Sequence, residues 1–555
     1  MVKTTFPLHG YERFFSMTPG VSARVAHVLT VRGDIDALVA RLPTAVLATF
    51  NEHPKMRALL LPGVTPPKVL ISAPLVDVTE LKGGVLSVSW REGEEQSTAW
   101  MSFVEQTAQT PVDRAHSLPF AFHVFADATT RQFARIVVLA DRYMADEMSG
   151  AIVLHSLLRH AANADDAARV EEQPVLSSMY EYIHGDQPTD PETRGVGGWL
   201  RAVASEAVAK WILEPLVSFD HAGFQPVLPV DAATQRDFQG RPAVPGNPSR
   251  AQFTRGTESN MSRALAACEA QGVTLHGALV AATVLAFGLT AQPETLLQPE
   301  TGGEGDEQRR VRVKTDVLCD MRQELEALRA TDGSERAVGL YSMPANLVFT
   351  SSEGVDVHAE RFWDVARKAD RERAGVLDGH ELRMQSVFVH ETLHEGNLEP
   401  SLRVQQSVLS DTTVASVGLY PFDTELTLSS SATLRVESLH VYTALPSLSS
   451  ASMLFVSGVS AFDYSMMSKL RNDVAPDAVP LVRAERGGAR AVDSEDSMAD
   501  AAQRVAQTAA PGPEIVVVRL RWRTARSSSS SSSRRSFRDD GAEEGRTRVY
   551  DDYLF

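Results

Sequence analysis

The chain has 555 residues, 43% of them hydrophobic, enough to bury a large core and, by length alone, to form roughly two to four domains. Its formal net charge of −17 and its pI of about 5.4 argue against a surface that binds nucleic acids or anionic membranes. The two cysteines, Cys268 and Cys319, are too few for a disulfide framework or a cysteine-rich zinc site. We therefore expect no nucleic-acid partner.

No targeting or membrane-spanning segment is predicted. Residues Met1–Pro7 contain no apolar stretch of the kind found in a secretory signal. The longest apolar run, Leu275–Leu289, is too short to span a bilayer and contains His276, so it is predicted to be a buried helix. The sequence thus predicts a cytoplasmic protein without a membrane span.

The first elements predicted along the chain are a strand and a helix. Apolar and polar residues alternate imperfectly from Val21 to Gly33, as in a half-buried strand. Asp34 is a predicted N-cap for a helix over Ile35–Phe50, which is expected to be kinked or split at Pro43. The sequence His53-Pro54-Lys55-Met56-Arg57 then predicts a turn that ends the helix.

A buried strand, a polar turn and a helix are predicted next. Phe133–Leu139 is an apolar run typical of a buried strand, and Ala151–Leu158 has the pattern of an amphipathic helix. The turn between them holds four charged side chains, Asp141, Arg142, Asp146 and Glu147. Because an exposed turn on a rigid scaffold is a common place for catalytic residues, this turn is the candidate site.

The second half of the chain follows a segment rich in proline and glycine, 216–248, which predicts a linker. Its predicted helices are Ser259–Ala270, Leu275–Phe287, Arg361–Arg367 and a closing helix over Tyr464–Leu470. Its predicted strands are Val311–Leu318, Leu434–Thr443 and Met453–Val459. Beyond residue 480 the composition becomes polar and includes the serine run Ser527–Ser533, which predicts disorder.

The strand, the spacing Arg142-x-x-x-Asp146 and the following helix resemble the His-x-x-x-Asp motif of the chloramphenicol acetyltransferase-like superfamily. That superfamily includes CoA-dependent acyltransferases, alcohol acetyltransferases and the condensation domains of peptide synthetases. Cys319-Asp320-Met321-Arg322 is similar to its Asp-Leu-Arg element, and His53–Arg57 and Arg361–Arg367 are similar to two of its other segments. The resemblance covers roughly residues 8–471 and consists of several short motifs in the right order.

The resemblance implies an α/β fold in which two chloramphenicol acetyltransferase-like lobes form a pseudo-dimer around a central tunnel. The N-terminal lobe is expected over residues 1–215, an inter-lobe linker over 216–250 and the C-terminal lobe over 251–480. A low-complexity, largely disordered tail is expected over 481–555. The protein is expected to be a monomer.

The resemblance also implies roles for the site residues. In the superfamily the motif histidine is the general base, and the motif aspartate is structural and pairs with a distant arginine. Asp146 stands at the position of the motif aspartate and Arg322 at that of its arginine partner, and we expect a buried ion pair between them. The alternative is that Arg322 is an ordinary surface arginine at a strand end. The base position is occupied by Arg142, and the glycine that often follows the aspartate is replaced by Glu147.

Arginine at the base position changes the chemistry. A general base works best with a pKa near the working pH, whereas a guanidinium stays protonated and offers only hydrogen-bond donors. Arg142 could still stabilise an oxyanion, as a fixed cation does. A replacement base would have to come from Asp141, Glu147 or His155, of which only His155 has the usual chemistry, on the helix after the turn.

Two classes of function follow from these observations. In the first, the protein is an acyltransferase that moves an acyl group from CoA or a carrier thioester to a small alcohol or amine, with acyl-CoA as a co-substrate and no bound cofactor. In the second, the protein is a non-catalytic ligand-binding or scaffolding relative. Arg142 would then form a salt bridge with Asp146 or Asp141, or hold an anionic ligand.

A competing motif, His390-Glu391-Thr392-Leu393-His394, matches the H-E-x-x-H signature of zinc metalloproteases. On a helix His390 and His394 would share one face and could bind zinc, with Glu391 as the base. The context argues against this, since Gly396 and Asn397 end the helix at once and no third ligand follows at the usual spacing. The other interpretation, two polar histidines at a helix C-terminus, is favoured by the helix dipole. We therefore expect no metal.

Overall fold

The structure is a computed structural model, which describes residues 4–16, 24–81, 84–108, 110, 112–163, 170–184, 225–230, 250–292, 310–378, 410–416, 422–444, 450–470 and 497–501. The predicted linker, 216–250, is described only at 225–230 and at its last residue. Most of the predicted tail, 481–555, lies outside the described residues, and so does the disorder predicted for it.

The described residues form a mixed α/β structure. The strands are β1 Thr4–Pro7, β2 Arg24–Gly33, β3 Ala58–Leu60, β4 Lys68–Ile71, β5 Leu86–Arg91, β6 Phe120–Asp127, β7 Phe133–Asp141, β8 Arg250–Arg255, β9 Arg310–Val311, β10 Thr315–Asp320, β11 Ser342–Leu347, β12 Val355–Asp356, β13 Thr412–Ser416, β14 Glu425–Ser429, β15 Ala432–Thr443, β16 Ser452–Gly458 and β17 Phe462–Ser468. The helices are α1 Gly10–Ser16, α2 Ile35–Glu52, α3 Gly93–Ala108, α4 Ser149–Ala162, α5 Met179–His184, α6 Glu258–Gln271, α7 Leu275–Ala291, α8 Met321–Glu324, α9 Glu326–Arg329 and α10 Phe362–Asp378.

Six strands form a first sheet in the order β14-β15-β2-β7-β6-β5. Neighbouring strands run antiparallel except β5 and β6, which are parallel. The central strands β2 and β7 are rich in apolar residues and are buried along most of their length. β7 lies where the sequence predicted a buried strand. β2 lies where a half-buried strand was predicted, but it is buried along most of its length, so the predicted half-burial is wrong.

A second six-stranded sheet has the order β11-β10-β13-β16-β17-β8. β13 runs parallel to β10 and to β16, and the other neighbours are antiparallel. The closing helix predicted over Tyr464–Leu470 is wrong, because Phe462–Ser468 is strand β17, which lies between β16 and β8. Every residue of β17 is buried. Its sequence nevertheless alternates between apolar and polar residues from Phe462 to Met466, a strand signal that the helix prediction overlooked.

The first sheet contains residues from both ends of the described chain. β15 pairs with β2 over a long register that runs from Thr443 opposite Val25 to Leu434 opposite Gly33. β14 and β15 fall within 251–480, the range predicted for the C-terminal lobe, yet they complete the sheet built from the N-terminal residues. A division into two continuous lobes therefore does not describe the sheets, and the lobe boundaries stay predictions.

Helix α2 follows β2 directly, and Asp34 caps it as predicted. The Asp34 carboxylate accepts a hydrogen bond from the Ala37 backbone N–H at 2.9 Å, which satisfies one of the free N–H groups of the first turn. The helix is continuous from Ile35 to Glu52 through Pro43. Of the two outcomes predicted at Pro43, a kink or a split, the split is wrong, since the buried face of α2 holds the helix together across the missing hydrogen bond.

Helices α7 and α10 pack against the second sheet, and α6 packs against α7. Gly272, in the left-handed region at φ +62°, ends α6, and Thr274 caps α7 by accepting from the Gly277 N–H. A Cβ at Gly277 would lie 2.5 Å from the carbonyl oxygen of Ala366 on α10, so glycine permits the close approach of these helices. Within the described part of the chain, no single helix combines the length and apolar composition needed to cross a bilayer; α6 and α7, bent by 105°, meet that criterion only as a pair.

Three apolar clusters form the core. One lies against α2 and α4 in the first sheet, a second lies against α7 and α10 in the second sheet, and the third joins residues of both sheets and α3. Trp100, Phe253, Phe455 and Met467 belong to the third cluster or pack against it. The two sheets are thus held together by buried apolar contact, which is the main favourable contribution to folding.

Candidate functional site

The turn between β7 and α4 carries the candidate residues and is buried. β7 ends at Asp141 and α4 begins at Ser149, so seven residues connect them. Arg142 is 7% exposed, Asp146 is 0% exposed and Glu147 is 3% exposed. Charged side chains this deeply buried must be paired, and their partners determine what the turn can do.

Asp146 is held by donors from three parts of the chain. Its carboxylate accepts two hydrogen bonds from the Arg322 guanidinium, at 2.9 and 3.1 Å, and one from the Tyr341 backbone N–H at 2.7 Å. It also accepts from the N–H groups of Met148 and Ser149 at the start of α4. Burial alone would raise the pKa of Asp146, but Arg322 and these donors outweigh it and lower the pKa below its usual value. Asp146 is therefore a fixed anion and cannot serve as a base near neutral pH.

Arg322 reaches Asp146 from the end of β10. Its Nε donates to the carbonyl oxygen of Ala337, and its Nη1 also donates to Asp320. Although burial disfavours the charged form, Asp146 and Asp320 raise the pKa of Arg322 above its usual value. The side chain is 1% exposed, so Arg322 is not a surface arginine. The structure brings Asp146 and Arg322 together across 176 residues of sequence.

Arg142, which the resemblance placed at the position of the motif histidine, pairs with Glu147. Its Nη2 donates to Glu147 Oε1, and its guanidinium lies 5.3 Å from the centre of the Phe15 ring. Neither Asp146 nor Asp141 is the partner, so both salt bridges considered from the sequence are wrong. Burial lowers the pKa of Arg142 to about 10, against the attraction of Asp146, which still leaves the group protonated at neutral pH.

Glu147 is hydrogen-bonded through its carboxylate and through its backbone carbonyl. Its Oε2 accepts a hydrogen bond from Ser342 Oγ at 2.9 Å, so the two carboxylate oxygens have different partners. Its backbone carbonyl accepts from His27 Nε2. Glu147 therefore links the turn to β11 through Ser342 and to β2 through His27, and its carboxylate is engaged at both oxygens.

The other two predicted bases have separate partners. Asp141 accepts two hydrogen bonds from Arg114, at 2.8 and 3.1 Å, and is 2% exposed. His155 lies on α4 with its ring centre 6.2 Å from that of Phe422, and it lines a small cleft of about 100 Å³ together with Arg159 and Asp423. Burial lowers the pKa of His155. Asp141 and His155 thus lie in different environments from the Arg142–Glu147 pair.

Sequence reasoning missed three residues of the site: His27, Arg114 and Ser342. His27 lies within the apolar strand β2 opposite Val138 of β7, and a buried imidazole in such a run was its only sequence signal. Its Nε2 donates to Glu147, and burial lowers its pKa to about 3, so the ring is neutral. A Cβ at Gly150 would lie 1.9 Å from its Nδ1, so α4 starts directly above the ring.

The competing zinc motif cannot be placed, because His390, Glu391 and His394 lie outside the described residues. Among the residues that are described, no group of three or more histidine, cysteine, aspartate or glutamate side chains has the arrangement of a metal site.

Comparison with known proteins yields structural matches only. No protein-family model matches the chain, and no curated protein matches it in sequence. It is similar to the first condensation domain of the calcium-dependent antibiotic synthetase, with 12% identity, a TM-score of 0.54 and coverage of 86% of this chain and 93% of the other. It is also similar to trichothecene 15-O-acetyltransferase from Fusarium sporotrichioides, with 13% identity, a TM-score of 0.57 and coverage of 86% and 94%. The chain thus has the α/β fold shared by condensation domains and acetyltransferases, as the resemblance implied.

Proposed function

We propose that this protein is an acyltransferase-type protein in which histidine-dependent acyl transfer is lost or strongly weakened, and which acts by binding a ligand. The transfer in question moves an acyl group from CoA or a carrier thioester to an alcohol or amine. The observation that carries the proposal is the buried Arg142–Glu147 pair, which stands where the resembled motif has a histidine and often a glycine. A protonated guanidinium cannot accept the proton of the attacking group.

The predicted substitutes for the base support the same proposal. Asp141 is engaged by two donors from Arg114, and Glu147 by Arg142 and Ser342. His155 faces Phe422 rather than the ion pair of the turn. A general base needs a lone pair within hydrogen-bond reach of the acceptor proton, and each carboxylate here is already hydrogen-bonded to a cation.

The residues that hold the turn in place, Asp146 and Arg322, are called the frame here, and the proposal requires no change in them. Asp146 and Arg322 are hydrogen-bonded to each other, and Asp146 also accepts from the Ser149 N–H at the start of α4. Restoring the missing groups by Arg142→His and Glu147→Gly should therefore create a base without disturbing that frame. The double change is preferable to Arg142→His alone, since a remaining Glu147 would pair with the new imidazole and hold it away from an acceptor.

The test is transfer and hydrolysis of a panel of acyl-CoAs by the wild-type chain and by Arg142→His/Glu147→Gly. We expect no transfer by the wild type above the uncatalysed rate. The double variant should transfer the acyl group faster than the wild-type sample does, by roughly the 10²–10⁴-fold that a positioned base supplies. Arg142→His/Glu147→Gly/Asp146→Asn is the matched control, which has the base but not the frame. Transfer by the wild type that Arg142→Gln leaves unchanged would contradict the proposal.

A further inference from the structure

The hydrogen bonding of Arg142 is incomplete on one edge. Nε and Nη2 of a guanidinium lie side by side, so that one carboxylate can accept from both. In Arg142, Nη2 donates to Glu147, whereas Nε is buried and has no hydrogen-bond partner among the described residues. A buried donor without a partner is rare and requires an explanation.

Glu147 cannot complete that edge in its present position. Its second oxygen, Oε2, accepts from Ser342 Oγ at 2.9 Å and makes no hydrogen bond with Nε. The carboxylate is therefore divided between two partners and binds the arginine through one oxygen only. A carboxylate not tethered to the turn would accept from Nε and Nη2 together, which is the preferred geometry of an arginine–carboxylate pair.

The surroundings suit a small anion with an apolar tail. The Phe15 ring lies over the guanidinium at 5.3 Å and supplies an apolar wall. The site is shielded from water, since Arg142 is 7% exposed and Glu147 is 3% exposed. In such surroundings a charge-assisted hydrogen bond is stronger than in water.

We propose that the Nε–Nη2 edge of Arg142 is a binding site for a small monocarboxylate, and that the Glu147 side chain is its internal competitor. A bound carboxylate displaces Glu147 from Arg142, accepts from both nitrogens of the edge and places its alkyl tail against Phe15. This inference rests on the proposed loss of histidine-dependent transfer and adds the chemical class of the ligand.

The test is calorimetric titration of the full chain with butyrate at constant ionic strength, with butyramide as the neutral probe of the same shape. Glu147→Gln removes the competing charge and keeps the hydrogen bond to Ser342. We expect this variant to bind butyrate at least tenfold more tightly than the wild type, and to bind butyramide no more tightly than the wild type does.

The matched control is Glu147→Gln/Arg142→Gln, which should lose the gain in butyrate affinity. If that variant does not fold, Glu147→Gln/Arg142→Lys replaces it, since lysine keeps the charge but lacks the two-donor edge and should lose most of the gain. An unchanged butyrate affinity in Glu147→Gln, or a gain that survives removal of Arg142, overturns the inference. Acyl transfer by the wild type would instead refute the proposed function and leave the butyrate result standing.

Discussion

The two buried ion pairs of the turn, Asp146–Arg322 and Arg142–Glu147, differ in how completely they are hydrogen-bonded. The Asp146–Arg322 pair has its hydrogen bonds complete and joins the turn to the end of β10. The Arg142–Glu147 pair, by contrast, leaves Nε of Arg142 without a partner among the described residues. A buried pair stabilises the fold only when its geometry and its remaining hydrogen bonds are good, because both charges have lost their water. The first pair is therefore structural, and the second is the one that ligands can alter.

Arg322→Ala should lower the free energy of unfolding by roughly 3–5 kcal/mol, because it leaves the Asp146 carboxylate buried without its cation. Urea unfolding of both proteins measures the difference. Arg131 and Asp36 form a matched exposed pair, with side chains 56% and 52% exposed. Arg131→Ala should cost only about 0–1 kcal/mol. Equal losses in the two variants would show that the buried pair has no special role.

Gly150→Ala should lower the free energy of unfolding by roughly 1–3 kcal/mol, because its Cβ would collide with the His27 ring. Combining it with His27→Ala should recover part of that loss by making room. Gly375 on α10 is the control: nothing lies within 4 Å of its added Cβ, so Gly375→Ala should stabilise the helix by about 0.5–1 kcal/mol. Additive losses in the double variant would contradict the contact.

At the scale of elements, α2 tolerates a proline that should divide it. Pro43 removes one helical hydrogen bond, yet the helix runs from Ile35 to Glu52. The apolar face of α2, which includes Leu38, Leu42 and Val46, is fully buried. Tertiary packing therefore outweighs the local preference of proline, as it commonly does for helices in proteins.

Pro43→Ala should raise the free energy of unfolding, by at most about 3 kcal/mol, because it restores the missing donor of α2. The gain is reduced because alanine also gives the unfolded chain more freedom, by roughly 0.4–1 kcal/mol. Thermal and urea unfolding provide the measurement. Thr44→Ala, at the exposed neighbouring position, should change the stability by less than about 0.7 kcal/mol. A loss of stability in Pro43→Ala would mean that the proline is needed where it stands.

At the scale of the whole molecule, buried neutral histidines make the fold sensitive to acid. Burial lowers the pKa of His27 and His440 to about 3, and that of His53, His123 and His276 to about 4. Below pH 6.5 the unfolded chain binds protons at these sites and the folded chain does not, so stability falls as the pH falls. Three buried carboxylates act in the opposite direction, since burial raises the pKa of Asp316 and Asp411 to about 6 and of Asp463 to about 7.

Between pH 7 and pH 5 each of these histidines should therefore lower the free energy of unfolding by roughly 2 kcal/mol. The carboxylates offset part of this, which leaves a net decrease on the order of several kcal/mol. Urea unfolding at pH 7, 6 and 5 measures it. His440→Phe keeps an aromatic ring stacked on Trp100 and in edge contact with Phe253, and should remove about 2 kcal/mol of the loss. A stability that rises toward pH 5 would refute this account.

The sequence predicted those features that depend on neighbours in the chain. The alternation of β2, the apolar run of β7 and the cap at Asp34 were recognised because periodicity and capping are local signals. Strand β17 was mistaken for a helix although Phe462–Met466 alternate between apolar and polar residues, so a local signal was present and was misinterpreted. The shared sheet was missed because pairing of β15 with β2 depends on contacts between distant segments.

At the candidate site, too, contacts between residues far apart in the sequence could not be predicted from local patterns. The expected pair of Asp146 and Arg322 came from a resemblance to known motifs rather than from any local pattern. The contacts of Glu147 with Ser342 and of Asp141 with Arg114 were not anticipated, since nothing near 147 or 141 in the sequence indicates which distant side chains meet them. The partner of Arg142, five residues away, depends on the path of a buried turn that periodicity does not determine.

The pairing of β15 with β2 has a consequence for how the protein is made. The two strands are about 400 residues apart in sequence, so most of the chain has left the ribosome before β2 can gain this neighbour. Until then one edge of β2 offers unpaired N–H and C=O groups, which can pair with other chains. A nascent or truncated chain that stops before residue 432 would therefore be a substrate for chaperones and prone to aggregate, even with every residue of the candidate turn already present.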